Sequence, residues 1–208
     1  MRRCRWAVPV LIFTLLARSP SPAAGQWTDG YSVAVGAHAL TVPWYPGPVA
    51  DRYNPAVMAG MDLTWKSREN WRLYYAVNLG FFRHHWWMTG ISVEPEIGIS
   101  REVAGGVHAQ VGLGMGYLHY FWRRKTMELK DGRYVEATDL GSPSMIFPLS
   151  LTLGYRGDAH DPVSVAPFLT ARWGVQALLQ EEVPIMTHFQ LLGGIRVKRG
   201  GSGHRGGE

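Results

Sequence analysis

The stretches Val57-Met-Ala-Gly-Met-Asp-Leu-Thr-Trp65 and Trp71-Arg-Leu-Tyr-Tyr-Ala-Val-Asn-Leu-Gly-Phe81 decide the fold. Val57, Ala59, Met61, Leu63 and Trp65 fall on one face, and Trp71, Leu73, Tyr75, Val77, Leu79 and Phe81 continue it. The interleaved residues include Asp62, Thr64, Arg72, Asn78 and Gly80. A period of two marks strands, because successive side chains point to opposite faces of an extended chain.

The same alternation recurs along the chain. It predicts eight strands at about 31–42, 55–66, 70–82, 87–101, 105–121, 145–156, 162–177 and 184–198. The apolar face of this series carries no charge. Two packings are open to it. A soluble barrel or sandwich turns the apolar face inward, whereas a membrane barrel turns it toward lipid. The polar face is rich in Gly, Ser and Thr, including Gly60, Gly80, Gly98, Gly112, Gly114, Gly116 and Gly154. Small residues suit a narrow lumen, whereas a water-facing surface favours Lys and Glu. Trp and Tyr gather near strand ends, as in interfacial girdles. The expected fold class is therefore all-β, an eight-stranded antiparallel transmembrane up-and-down β-barrel. A mean hydropathy of −0.09 agrees with a membrane protein that crosses in alternating strands.

Residues 1–25 read as a signal peptide. Arg2, Arg3 and Arg5 precede an apolar run from Trp6 to Ala17, and a small-residue segment ends at Gly25. Residues 26–199 are the expected barrel domain, and the Gly-rich residues 200–208 an expected disordered tail. The signal segment takes with it the single Cys (Cys4), so neither disulfides nor Cys-bound zinc are expected in the mature protein. It also holds Arg2, Arg3, Arg5 and Arg18 and no acid, so the formal charge of +5 is no argument for nucleic-acid binding.

With the N-terminus in the periplasm, strand one runs outward and the outward loops are expected at about 43–54, 83–86, 122–144 and 178–183. The longest holds Asp131-Gly132 between short alternating segments, which predicts a hairpin with a type I′ turn. Pro95, Pro148 and Pro167 fall inside expected strands, and each should mark a bulge or a missing ladder bond.

Asp62, Arg72, Glu94, Glu96, Arg172 and Arg196 share the inward face. Glu94 and Glu96 stand side by side there, as a general acid/base pair does. A structural ion network is the favoured reading, since enclosed charges must be paired. His38, His108 and His188 share that face, and His38 and His188 become neighbours if the first and last strands close the barrel. Hydrogen bonding is favoured over a metal site for them. His84 and His85 are expected at a solvated loop tip, beside Trp86 and Trp87. Arg123, Arg124 and Lys125 stand above an aromatic belt, in position for lipid phosphates. No nucleophile elbow, P-loop, dinucleotide fingerprint or HExxH motif is present. No catalytic residue, metal or cofactor is expected.

Stretches such as Val93-Glu-Pro-Glu-Ile-Gly-Ile99 and Val111-Gly-Leu-Gly-Met-Gly-Tyr117 resemble strands of the small outer membrane barrels of the OmpA, OmpX and OmpW types. The resemblance covers residues 26–198. It implies a bacterial outer membrane location, lipopolysaccharide and the outer-membrane insertion machinery as partners, and adhesion, surface protection, lipid interaction or small-solute passage as roles. It departs from the pattern at the last strand, which ends Ile195-Arg-Val-Lys-Arg199 rather than in an aromatic residue. The leading expectation is a monomeric, non-enzymatic surface barrel acting through its loops. A narrow, porin-like channel and a lipid A modifying enzyme are the alternatives. For the latter, His119 is the one polar candidate continuing the outward register.

Overall fold

The structure is a computed structural model. It describes residues 30–41, 54–68, 71–123, 127–130, 132–136, 140–155, 163–177 and 185–199. The expected signal peptide, loop 43–53, Arg124, Lys125 and the tail lie outside these residues. Eleven strands are described: β1 (Gly30–Thr41), β2 (Asn54–Arg68), β3 (Trp71–Arg83), β4 (Met88–Ala104), β5 (Val107–Gly114), β6 (Gly116–Trp122), β7 (Met127–Lys130), β8 (Arg133–Glu136), β9 (Ser142–Tyr155), β10 (Val163–Ala177) and β11 (Ile185–Arg199). Each pairs antiparallel with its neighbours, and β11 pairs back onto β1 from Tyr31↔Val197 to Thr41↔Thr187. Because β5 and β6 follow one another as a single wall strand between β4 and β9, the result is a closed eight-stranded barrel. Closure leaves no edge open for pairing with another chain.

Strand alternation now has a direction. Val33, Leu79, Ile99, Leu113, Leu153 and Ile195 are each more than half exposed on the outside. Their inward neighbours, among them Ser32, Asn78, Ser100, Thr152 and Arg196, are buried. This is the membrane-barrel arrangement and the inverse of a water-soluble core. No helix among the described residues is long and apolar enough to cross a membrane.

The prolines behave as expected at one place only. The wall strand is interrupted at Met115, between β5 and β6. In the register on either side, Met115 faces Pro95 on β4, whose carbonyl accepts its N–H at 3.2 Å. The same register sets Gly114 against Pro148 on β9. Two residues without an N–H thus flank the break. Pro167 pairs with Ile195 in unbroken register. The two register shifts, at Thr64/Lys66 and Glu102/Ala104, involve no proline and lie where strands meet their turns.

The long loop carries the expected hairpin. β7 and β8 pair from Met127↔Glu136 to Lys130↔Arg133 across a two-residue turn, with Gly132 at φ 74°. That conformation is open to glycine and strained for most other residues.

Candidate functional site

The lumen is filled by side chains in two regions. In the middle, the Arg172 guanidinium meets Glu94 Oε2 at 2.7 Å and Glu96 Oε2 at 3.4 Å. It also donates to Met58 Sδ. Glu94 accepts from Ser92, and Glu96 accepts from Tyr74 at 3.0 Å and Ser150 at 2.7 Å. Toward the short turns, Arg196 pairs with Asp62 at 2.7 Å, donates to Gln110 at 3.0 Å and lies 5.3 Å over the Phe168 ring. Five of the six residues expected in an ion network therefore meet, in two groups. Arg72 lies half-buried near the turn end of β3, opposite Ser67 and Ser100 in register.

The lumen glycines make this packing possible. A Cβ on Gly112 would lie 2.0 Å from Glu96 Oε1, and one on Gly80 would lie 2.4 Å from Ser92 Oγ. A Cβ on Gly154 would lie 2.6 Å from the His108 ring. These glycines are space for neighbouring side chains rather than for a water column. The cavity between the two ionic groups measures about 30 Å³ and is lined by Asp62, Tyr74, Glu96, Arg172 and Arg196 among others. That is room for one or two waters.

The loop end of the lumen is sealed differently. Phe82, Met88, Leu118, Tyr120 and Ile146 are buried together there, with Trp122 and Met186 against the cluster. His38 stacks on Phe82 with ring centroids 4.1 Å apart. Its Nε2 meets His188 Nδ1 at 3.0 Å, and His188 Nε2 meets Gln176 Oε1 at 2.7 Å. An amide oxygen only accepts, so His188 donates to Gln176 and accepts from His38. The neighbouring of His38 and His188 follows from closure, as the sequence implied.

His84 departs from expectation. It is 2% exposed, set edge-on to His38, and is not a solvated loop residue. The loop of residues 84–87 is tight. The His84 N–H donates to Met88 O, the Trp86 N–H to His84 Nδ1, and the His85 N–H to Asn54 Oδ1. Burial pushes the His84 imidazole below its ordinary pKa, and His85 adds to the shift. No group of three or more His, Cys, Asp or Glu able to hold a metal ion occurs among the described residues. The sequence signal for the buried His84 was its parity: it continues the inward register of Tyr74, Ala76, Asn78 and Phe82.

Outside, β6 carries a polar chain on the apolar wall. Tyr117 OH and His119 Nδ1 are 2.8 Å apart, and His119 Nε2 is 3.1 Å from Leu140 O. The carbonyl only accepts, so Nε2 bears the hydrogen and Tyr117 donates to Nδ1. At the rim, Arg83, Trp86, Trp87 and Arg123 are exposed, and the Arg123 N–H donates to Trp87 O at 2.9 Å.

No protein-family model matches the sequence, and no curated protein sequence matches it. Solved structures do. Neisserial surface protein A superposes with a TM-score of 0.56 at 14% identity, over 82% of this chain and 97% of that one. The outer membrane enzyme PagL gives 0.46 at 14% identity, over 79% and 97%. Ail, the attachment invasion locus protein of Yersinia pestis, in complex with the heparin analogue sucrose octasulfate, gives 0.41 at 11%, over 81% and 99%. The fold is that of the small eight-stranded outer membrane barrels.

Proposed function

We propose that this chain is a non-enzymatic bacterial outer membrane barrel that works at its loop end, with the loops facing outward and the lumen closed. The observation that carries the reading is the pairing of an apolar exterior with a sealed, charged interior. Soluble monomers rarely expose continuous apolar surface beyond a few hundred Å². Here exposed Val, Leu, Ile and aromatic residues run around every strand of the wall. An interior held by Arg172–Glu94/Glu96 and Arg196–Asp62 supports a plug rather than a conduit. Adhesion, surface protection and lipid interaction are the roles open to such a barrel, and membrane lipid is its constant partner.

Fractionation and electrophoretic mobility test this. The mature protein is expected in the outer membrane fraction, running faster unboiled than boiled, and adding no conductance to a planar bilayer. Recovery from the soluble periplasm without a mobility shift would sink the membrane reading. A steady conductance altered by Arg172→Gln would replace the plug with a channel.

One observation favours a second reading, action on membrane lipid. The Tyr117–His119–Leu140 chain is a hydroxyl, a base and an orienting acceptor in line on the outer wall. If it acts chemically, His119→Ala changes the mass profile of lipids extracted from cells making the protein. An unchanged profile leaves the chain as a means of satisfying polar groups in an apolar setting.

A further inference from the structure

The outward face of the barrel ends in two ways at the loop side. On β1, β2, β9, β10 and β11, the last described outward residues near the loops are uncharged: Ala39, Pro55, Pro143, Ala177 and Ile185. On β3 and β6 they are Arg83 and Arg123. These two strands lie on either side of β4. Arg83 pairs across to Thr89, and Thr89 pairs to Phe121, two residues before Arg123. The Arg123 N–H holds Trp87 O, so the β4–β6 ladder extends one step past its last pair and fixes the Arg123 backbone beside Trp87. Two strand spacings and two residues along the strand separate the arginine backbones, roughly 12 Å, with the β4 entrance between them. Trp86 and Trp87 are about half exposed at that point. Neither guanidinium has a side-chain partner among the described residues. Below them the wall is apolar on β3 and β4, through Phe81 and Ile91, with the hydrogen-bonded Tyr117 and His119 alongside on β6.

A guanidinium presents a planar fork of donors that matches phosphate oxygens two at a time. Two such forks at the top of an apolar wall fit a ligand with an anionic head and hydrocarbon tails. We propose that the β3–β4–β6 sector binds an outer-leaflet lipid whose head is an anionic phosphomonoester. Arg83 and Arg123 grip the phosphate, Trp87 packs between them at the interface, and the acyl chains lie along Phe81 and Ile91. The proposal rests on the membrane reading above and adds to it a defined sector and ligand chemistry. Sequence reading supplied Arg123 alone of this pair; only strand pairing brings Arg83 beside it.

The test uses the full mature chain folded into phosphatidylcholine vesicles with a minor fraction of dioleoyl phosphatidic acid. Lipid retained after detergent exchange is identified by native mass spectrometry. The wild-type protein is expected to retain phosphatidic acid about tenfold more than the Arg83→Gln/Arg123→Gln variant, as befits loss of charge-assisted hydrogen bonds. Arg101→Gln, an exposed arginine near the opposite end, is expected to behave as wild type. Equal retention by the double variant, or an equal loss in Arg101→Gln, overturns the clamp. Displacement by millimolar inorganic phosphate also overturns it, since the ligand is then a free anion rather than a lipid. A protein that gives no heat-dependent mobility shift in the vesicles fails the membrane reading itself. A protein that inserts but retains no phosphatidic acid fails this proposal alone.

Discussion

The middle of the lumen and its loop end are both sealed, by opposite means. The middle is held by paired charges and the hydrogen bonds around them: Arg172 between Glu94 and Glu96, with Tyr74, Ser92 and Ser150 completing the carboxylates. The loop end is held by Phe82, Met88, Leu118 and Tyr120, with the histidines packed as flat rings beside Phe82. The difference teaches where each seal is fragile. An apolar packing loses in proportion to what is removed. An ionic one fails when a single partner goes, because the remaining charge has nowhere to be solvated.

Removing Arg172 gives the sharpest test. Arg172→Leu leaves Glu94 and Glu96 buried without their cation and is expected to cost about 3–5 kcal/mol in urea unfolding from lipid vesicles. Adding Glu94→Gln and Glu96→Gln should recover most of that loss. If the single variant unfolds like wild type, the middle seal is not ionic in its energetics.

At the loop end, Leu118→Ala should cost about 2–4 kcal/mol through lost burial and a residual cavity. No second substitution of a charge should rescue it. Recovery by Glu94→Gln would erase the distinction between the two regions.

Glycines sharpen the contrast further. Gly112→Ala pushes a Cβ into Glu96 and is expected to cost about 1–3 kcal/mol. Gly193→Ala, on the outer face with no atom within 4 Å of the new Cβ, should stay within about 0.5 kcal/mol of wild type. Equal effects would mean that the lumen glycines serve the backbone rather than their neighbours' side chains.

The smallest effect concerns pH. Burial lowers the His84 pKa below 6.5, so the unfolded chain binds a proton there that the folded chain does not. Stability is therefore fully present above the unfolded pKa and falls as pH drops through 6.5 toward the folded value. His38, His188 and His85 face the same site, so the measurement is the difference in slope between wild type and His84→Gln. The variant should show the shallower decline, read by tryptophan fluorescence of the rim. A steeper one would place the acid sensitivity elsewhere.

The strands and the two faces of each were legible from alternation, because a residue's face in an extended chain depends only on parity; which face turns inward came from the small residues of the polar face and the aromatic girdles. The same parity put Glu94, Glu96, Arg172, Arg196 and Asp62 on one surface. It could not say which of them touch, because contact across a lumen depends on the stagger of strands far apart in sequence. Arg72 shares that parity, and register places it near the turn end of β3, opposite Ser67 and Ser100. His84 shows the limit from the other side: its position next to a turn suggested solvent, while its register carried it inward.

What the sequence by itself determined is the wall, from its two-residue period, and its direction, from the small residues of the polar face and the aromatic residues near strand ends. Tertiary structure alone decided how the tube is stopped. The partner of each glycine, the break at Met115 between Pro95 and Pro148, and the placing of Arg83 and Arg123 on the two strands that flank β4 all depend on pairing register and barrel closure. Those are set by hydrogen bonds between strands that lie far apart in the chain.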